Sequence, residues 1–357
     1  MNLLFDNIVF SLQKMGGISV VWQELLSRAL HDPDLCCKVI EYANENVCRR
    51  ELNIPEPLTL PMRKLERYRT PDMRACAPLL QNNGEPQLFH SSYFRILPQK
   101  GIRNITTVHD LTYHFYRQGP AKWVHCAEEI RALKHSEGVI CVSENTKKDL
   151  LRIYPWLRED RIKVVYNGVG EHFRRMEDAE DKGYLLFVGN RAVSYKRFDL
   201  AVEVARLTDM ELVMIGGKLS GEEEQMLREK LGDGRYRALS NLPNEALCRY
   251  YNEAFCLLYP SDYEGFGIPI IEAQRSGCPV LAQDISSVPE VAGDAALLFS
   301  HDSKRMAEEM AEAVRGLKNG TISRSQLQEA GFRNAARFSW NNTYQETKSF
   351  YKAISNL

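Results

Sequence analysis

Short runs rich in valine, isoleucine and leucine recur along this chain between longer segments of helical period, and they do so in two successive sets. Strands buried on both faces of a parallel sheet read this way, because helices cover both sides and no polar alternation is needed. The first set places strands near residues 2–5, 37–42, 87–90, 104–108, 138–142 and 162–166. The second places them near 184–188, 211–215, 235–239, 255–259, 279–282 and 296–299. The expected fold is α/β, with two doubly wound, Rossmann-like parallel-sheet domains. A length of 357 residues suits two such units, each large enough to bury its own core.

The polar, charge-dense segment GEHFRRMEDAEDKG lies between the strand and turn VVYNGV and the strand YLLFVG. It predicts an N-terminal domain over 1–169, a linker over 170–183 and a C-terminal domain over 184–340. A last helix spans 341–357, with Ser339 as its N-cap.

Composition excludes several classes. Acidic and basic side chains nearly cancel to a formal charge of −1, which argues against a general nucleic-acid binder. Nine cysteines without CxxC pairs read as reduced core thiols of a cytoplasmic protein. Asp6 interrupts the apolar start of the chain before a signal peptide could form, and no apolar run is long enough to cross a bilayer. Attachment to the inner face of a membrane is the most that is expected.

The stretch EGFGIPIIEA carries Glu264 and Glu272 around a glycine-rich turn. The strand CLLYPS precedes it, so the loop stands at the carboxyl end of a parallel strand, where open α/β sheets hold ligands. Pro269 suits a first helical turn, and Gly265 and Gly267 let backbone N–H groups approach an anion at the helix's positive end. Carboxylates accept hydrogen bonds from hydroxyls and repel phosphate. Two of them flanking an anion site describe a nucleotide sugar, with ribose at Glu272 and hexose at Glu264. The plain alternative is a loop charge and a helix N-terminal charge.

The longer stretch YPSDYEGFGIPIIEAQRSGCPVLA resembles the signature of the retaining glycosyltransferases of family four. Further matching phrases, in order, are GGISV, TTVHDL, VSENTKKDL, VVYNGV, FVGNRAVSYKRFDL and SSVPEVAGDAALLF. The resemblance implies the GT-B fold, two Rossmann-like domains facing a cleft, with the last helix returning to the first domain. It implies that Arg191 and Lys196 grip the donor diphosphate, that Glu264 contacts the donor sugar, and that Glu272 binds the ribose. Gly265, Phe266 and Gly267 join the donor site. His109 would touch the sugar near its 6-hydroxyl, with Asp110 orienting it or meeting the acceptor. Gly16 and Gly17 would lie near the phosphate, and Asn241 and Leu242 beside the base. The physics of Arg191 and Lys196 agrees independently: both follow a strand's carboxyl end, and a leaving diphosphate gains charge that fixed cations stabilise.

A DPD triplet at residues 32–34 has the look of a metal motif, but it sits at the wrong edge of the sheet and reads as a loop. Carboxylates and histidines show no other ligand spacing, so a metal-independent transferase without a cofactor is expected. The phrasing HDL and GNRAVSYKRFD favours mannose-type donors, GDP-mannose over a UDP-sugar, in bacterial polysaccharide or glycolipid assembly. The acceptor would be a glycan or a polyprenyl-diphosphate-linked chain. The segment PMRKLERYRTPDMR holds five basic and two acidic side chains, and Arg63, Lys64, Arg67 and Arg69 would meet an anionic membrane surface. The competing readings are a nucleotide-sugar epimerase of the same fold and a non-catalytic partner subunit.

Overall fold

The computed structural model describes residues 1–61, 71, 76 and 87–356. Contacts divide the chain into two units, Met1–Asn167 together with Trp340–Leu357, and Gly168–Ser339.

In the first unit the strands are β1 (Asn2–Asp6), β2 (Cys36–Tyr42), β3 (Leu58–Leu60), β4 (Gln87–Ser91), β5 (Ile102–Val108), β6 (Ser136–Cys141) and β7 (Ile162–Val164). They pair in the order β3-β2-β1-β4-β5-β6-β7, every pair parallel. The second unit contains β8 (Tyr184–Val188), β9 (Leu212–Ile215), β10 (Tyr236–Leu239), β11 (Ala254–Tyr259), β12 (Val280–Asp284) and β13 (Leu297–Ser300). Their order is β10-β9-β8-β11-β12-β13, again all parallel. Both sheets are doubly wound α/β. Strand β3 was not expected, because its three residues lie between Pro57 and Pro61, and proline is confined to the edges of sheets.

The strands were legible because most of their residues are sealed from water. All six residues of β11 are buried, as are Leu185, Leu186 and Phe187 of β8, and helices Phe198–Thr208 and Met306–Asn319 pack on the same core. In the first unit the sheet meets Trp22, Leu25 and Leu26 of helix Gly17–Ala29, and Tyr344, Tyr351 and Ile354 of helix Trp340–Ser355. Residues 170–183 fall inside the second unit. Met176 donates its amide to Asn252 Oδ1 at 2.8 Å, and Lys182 donates to the Glu253 carbonyl at 2.8 Å, so the polar segment runs along helix Asn244–Glu253.

Polar side chains fix the C-terminal helix in the first unit. Lys348 Nζ lies 2.6 Å from Asp32 and 2.7 Å from Asp34, and the Tyr344 hydroxyl donates to Asp32 at 2.5 Å. The DPD triplet is thus a structural clasp. On the sheet itself the Tyr351 hydroxyl is 2.6 Å from His90 Nδ1, whose Nε2 is 2.9 Å from Thr107. Burial pushes His90 down to about 3, so the imidazole is neutral. Asp6, at the end of β1, is wholly buried and pairs with Arg95 at 3.3 Å.

All nine cysteines are free thiols. Not all are core residues: Cys36 is exposed and Cys37 partly buried, because strand β2 starts at the sheet's rim, and Cys126 is partly buried on helix Pro120–His135. Burial holds Cys48 up at about 11 and Cys278 at about 12, which keeps these thiols protonated. Among the described residues no helix is long and apolar enough to cross a membrane.

Hydrogen bonds from Lys348 and Tyr344 hold the Asp32 carboxyl down at about 2. A depressed carboxylate contributes stability above its ordinary value and loses it as pH falls toward the folded value. Asp32→Asn is therefore expected to lower the melting temperature at pH 7 by roughly 2–6 °C, for a loss of about 1–2 kcal/mol. The gap from wild type should narrow between pH 4 and pH 2 in calorimetric melts.

Candidate functional site

The strand order of the second unit reverses between β8 and β11, and the loops leaving these two strands diverge there. After β8 the chain makes a short 3-10 turn, Ser194–Lys196, and Arg197 adopts φ 47° before helix Phe198–Thr208. After β11 it runs through Glu264 into helix Ile268–Arg275, whose N-cap Gly267 has φ 108°. The two loops are knitted together: Asp262 donates its amide to the Tyr195 carbonyl at 2.7 Å, and Arg197 Nη1 donates to Asp262 at 3.3 Å.

Lys196 Nζ donates to Glu264 Oε1 at 2.6 Å, and the ammonium also stands 5.7 Å from the ring centres of Tyr195 and Tyr259. The Tyr259 hydroxyl is hydrogen-bonded to Glu264 as well. Ser286 Oγ accepts from the Glu264 amide at 3.0 Å, and the Ser287 hydroxyl, 2.9 Å from both the Glu264 and Phe266 carbonyls, shares its one hydrogen between them. Glu264 is thus held by Lys196 after β8, by Tyr259 at the end of β11, and by Ser286 and Ser287 after β12.

Arg191 is not a solvated surface cation. It is buried, with Nε 3.2 Å from Glu223 Oε1 and Nη2 donating to the Gly217 carbonyl at 2.5 Å. Glu223 is itself fixed, because its other oxygen accepts from the Ser220 amide at 2.8 Å in the capping box of helix Gly221–Leu231. Nη1 of Arg191 is buried and has no partner among the described residues, a donor that an anion would satisfy. The strand ends around it are pressed together. A Cβ at Gly216 would lie 2.3 Å from the Gly189 carbonyl oxygen, so only glycine fits where β9 passes β8.

Glu272 is one turn inside helix Ile268–Arg275 and accepts from the Tyr251 hydroxyl at 2.9 Å. Burial outweighs that hydrogen bond and pushes the carboxyl up to about 7. Tyr251 belongs to helix Asn244–Glu253, which starts just after Asn241 and Leu242. These two follow β10, with Asn241 exposed at φ 56° and Leu242 partly buried. Gly265 and Gly267 are buried in the turn. Phe266 stacks its ring edge-to-face on Phe338 at 5.7 Å, so its side chain is core and only its backbone is offered to the loop.

In the first unit, His109 follows β5 and lines a pocket of about 90 Å³. Ile18, one residue into the helix that Gly17 opens, lines the same pocket, with Tyr93, Tyr113 and His125. Gly16 is extended, and the helix begins without a side-chain cap. Burial drives His109 down to about 4, against the opposing charge of Asp110, so its imidazole is neutral near pH 7. Asp110 accepts from the Thr112 amide at 2.9 Å and from its hydroxyl at 2.5 Å, which starts the short helix Thr112–Tyr116.

Sequence reading missed Tyr251, Tyr259, Ser286, Ser287 and Glu223 as supports. Tyr259, Ser286 and Ser287 stand inside the matching phrases without being singled out, and Glu223 lies in the Ser-x-x-Glu pattern at 220–223. It also missed a cluster in which His114, Cys126 and Glu129 converge with metal-ligating atoms within 4.8 Å of one another. Its parts come from two helices, so no ligand spacing announces it. His114 Nε2 is 2.5 Å from Glu129 Oε2, which accepts from Tyr154 at 2.7 Å, while the buried Glu129 Oε1 has no hydrogen-bond partner among the described residues.

Glu272→Gln gives a sign that geometry alone does not. A carboxyl raised above its ordinary value costs nothing in acid; the cost accumulates as pH rises past the ordinary value of 4.5 and is complete above the folded value of about 7. The substitution should therefore raise the melting temperature of the ligand-free protein at pH 8 more than at pH 5. An equal shift at both values would show that the carboxyl titrates normally.

Comparison with known proteins places this geometry. The family model described as Glycosyltransferase Family 4 matches residues 15–172, and that described as Glycosyl transferases group 1 matches residues 170–334. The O-antigen chain mannosyltransferase B of Escherichia coli is 27% identical over 294 residues, 75% of this chain and 74% of the relative. The O-antigen chain mannosyltransferase RfbU of Salmonella typhimurium is 27% identical over 57% of this chain and 59% of its own length. Among solved structures, HepE of Anabaena in complex with UDP-glucose superposes with a TM-score of 0.73 at 16% identity over the whole of both chains. WaaG, a glycosyltransferase involved in lipopolysaccharide biosynthesis, gives a TM-score of 0.67 at 13% identity, covering 94% of this chain and 95% of its own. The two parallel-sheet units have the GT-B fold, and the chain belongs to the glycosyltransferases, its first half to family 4 and its second to group 1.

Proposed function

We propose that this protein is a retaining hexosyltransferase that moves mannose from GDP-mannose to a glycan or lipid-linked acceptor in bacterial polysaccharide assembly. The observation that carries the reading is the site at the β8/β11 reversal. A buried arginine keeps one donor unsatisfied there, a lysine and one carboxylate stand on the adjoining loops, and a second carboxylate lies in the first turns of the helix that follows. The E. coli and Salmonella relatives, both mannosyltransferases by name, support the sugar.

In this reading the diphosphate lies against Arg191 Nη1 and Lys196 Nζ, Glu264 accepts from a sugar hydroxyl, and Glu272 accepts from the ribose. Backbone N–H groups of Gly265, Phe266 and Gly267 serve the anion, while Asn241 and Leu242 flank the base. The acceptor oxygen attacks the anomeric carbon on the face that the diphosphate leaves. The glycosidic C–O bond breaks, and the departing phosphate oxygen takes the acceptor's proton. Charge on the leaving group is met by Arg191 and Lys196, so the chemistry we assign needs no metal. His109 presents a neutral imidazole, suited to a sugar hydroxyl, with Gly16 and Gly17 opening the helix beside its pocket, and Asp110 shapes the turn there. The basic segment with Arg63, Lys64, Arg67 and Arg69 lies outside the described residues.

Lys196→Gln keeps a hydrogen-bond donor but removes the charge, and it is expected to lower kcat by about a hundredfold, for a loss of about 3 kcal/mol. Unchanged turnover would refute the role of Lys196. Donor identity is read by thermal shift with nucleoside diphosphates and their sugars. A ligand at a hundred times its Kd should stabilise the protein by about 2.7 kcal/mol. GDP-mannose is expected to give the largest shift, and a larger shift with UDP-sugars would reassign the donor.

A further inference from the structure

Large apolar side chains that face water are confined to one unit. Among the described residues, those most exposed are Met15, Val47, Phe115, Tyr116, Trp123, Val124 and Trp156, all in the first unit. Five of the seven come from three segments. Phe115 and Tyr116 end the helix Thr112–Tyr116, and Trp123 and Val124 stand in the first turn of helix Pro120–His135. Trp156 follows helix Glu144–Ile153. Trp123 is 75% exposed, an unusual degree for the largest apolar side chain.

The buried cluster behind these segments explains why they stay together. Glu129 binds both His114 and Tyr154, Lys122 Nζ donates to the His114 carbonyl at 2.6 Å, and the Tyr154 and Trp156 rings are 5.6 Å apart. Basic side chains are interspersed with the exposed rings. The Arg152 guanidinium stands 5.6 Å from the Phe115 ring centre, and Lys134 Nζ 5.7 Å from that of Trp156. Arg117 and Arg131 are exposed beside them. Tryptophan, tyrosine, lysine and arginine together on one face match the interface of a bilayer, where rings sit at headgroup level and cations meet anionic lipid. The opposite side of the same two helices supplies Thr112, Tyr113 and His125 to the His109 pocket, so the patch is continuous with that pocket's wall.

We propose that this face docks the protein on an anionic bilayer surface, with Trp123 and Trp156 inserted among the headgroups and Arg117, Lys134 and Arg152 on the lipid charges. The docking itself stands apart from the donor reading. A membrane at the rim of the His109 pocket suits a lipid-linked acceptor, and only that clause rests on the proposed function.

The chain carries its own reporter. Its four tryptophans are Trp22 and Trp340, both buried, and Trp123 and Trp156, both exposed. The full-length protein is titrated with phosphatidylcholine vesicles, with and without 30 mol% phosphatidylglycerol, some carrying brominated acyl chains. Binding only to the anionic vesicles, with tryptophan quenching by the brominated lipid, is expected. Trp123→Ser with Trp156→Ser should weaken vesicle partitioning at least tenfold while the melting temperature and nucleotide thermal shift stay as in wild type. Phe115→Ser gives a second, independent loss. Three results would overturn the proposal: no anionic-vesicle binding, binding that survives these substitutions, or a dimer in solution that dissociates on Trp123→Ser and so assigns the face to a second copy. Loss of vesicle binding with nucleotide recognition intact separates this surface from the donor site.

Discussion

Strand β8 has β9 on one flank and β11 on the other, so the chains leaving β8 and β11 must turn to opposite faces of the sheet. Such a divergence leaves a crevice at the carboxyl edge, and Arg191, Lys196, Glu264 and Glu272 all follow the two strands that bound it. Residues far apart in sequence meet there because each terminates a neighbouring strand. Lys196 and Glu264, 68 positions apart, share a hydrogen bond for this reason. Without the reversal, the same side chains would be scattered surface charges.

Electrostatics in the opening follow from burial. Arg191 is held by Glu223 and the Gly217 carbonyl yet keeps one N–H unsatisfied, and an unsatisfied buried donor is costly enough to be informative. Glu272, raised to about 7 by burial, is poised between charge states at physiological pH. In the proposed donor site, a ribose hydroxyl donating to that carboxyl would favour its ionised form and so would couple binding to proton release. Such preorganised groups are suited to charge that develops during bond breaking.

Much of the fold was legible because it rests on local signals. Apolar runs marked twelve of the thirteen strands among the described residues, including β7, β10 and β13, which are only partly buried, and β3 escaped because prolines bracket three residues. The turn that carries Glu264 into the helix of Glu272 was legible too, from its glycines and its proline. What escaped was anything that depends on tertiary contact. Tyr251 on Glu272, Ser286 and Ser287 on the Glu264 loop, and His90 under Tyr351 are ordinary residues in sequence and become meaningful only when strands from distant segments are set side by side. The side chain of Phe266 went the other way, since its position in the signature hid that it packs on Phe338. The exposed rings at Trp123 and Trp156 were invisible for the same reason, because burial is a property of the folded unit.

A crystal structure of the protein with an intact nucleotide-sugar donor, or a slowly hydrolysed analogue, tests the central claim most directly. The account places the diphosphate within hydrogen-bonding distance of Arg191 Nη1 and Lys196 Nζ, with the ribose hydroxyls on Glu272. A donor bound elsewhere on the second unit, with Arg191 still holding only Glu223 and Gly217, would contradict it.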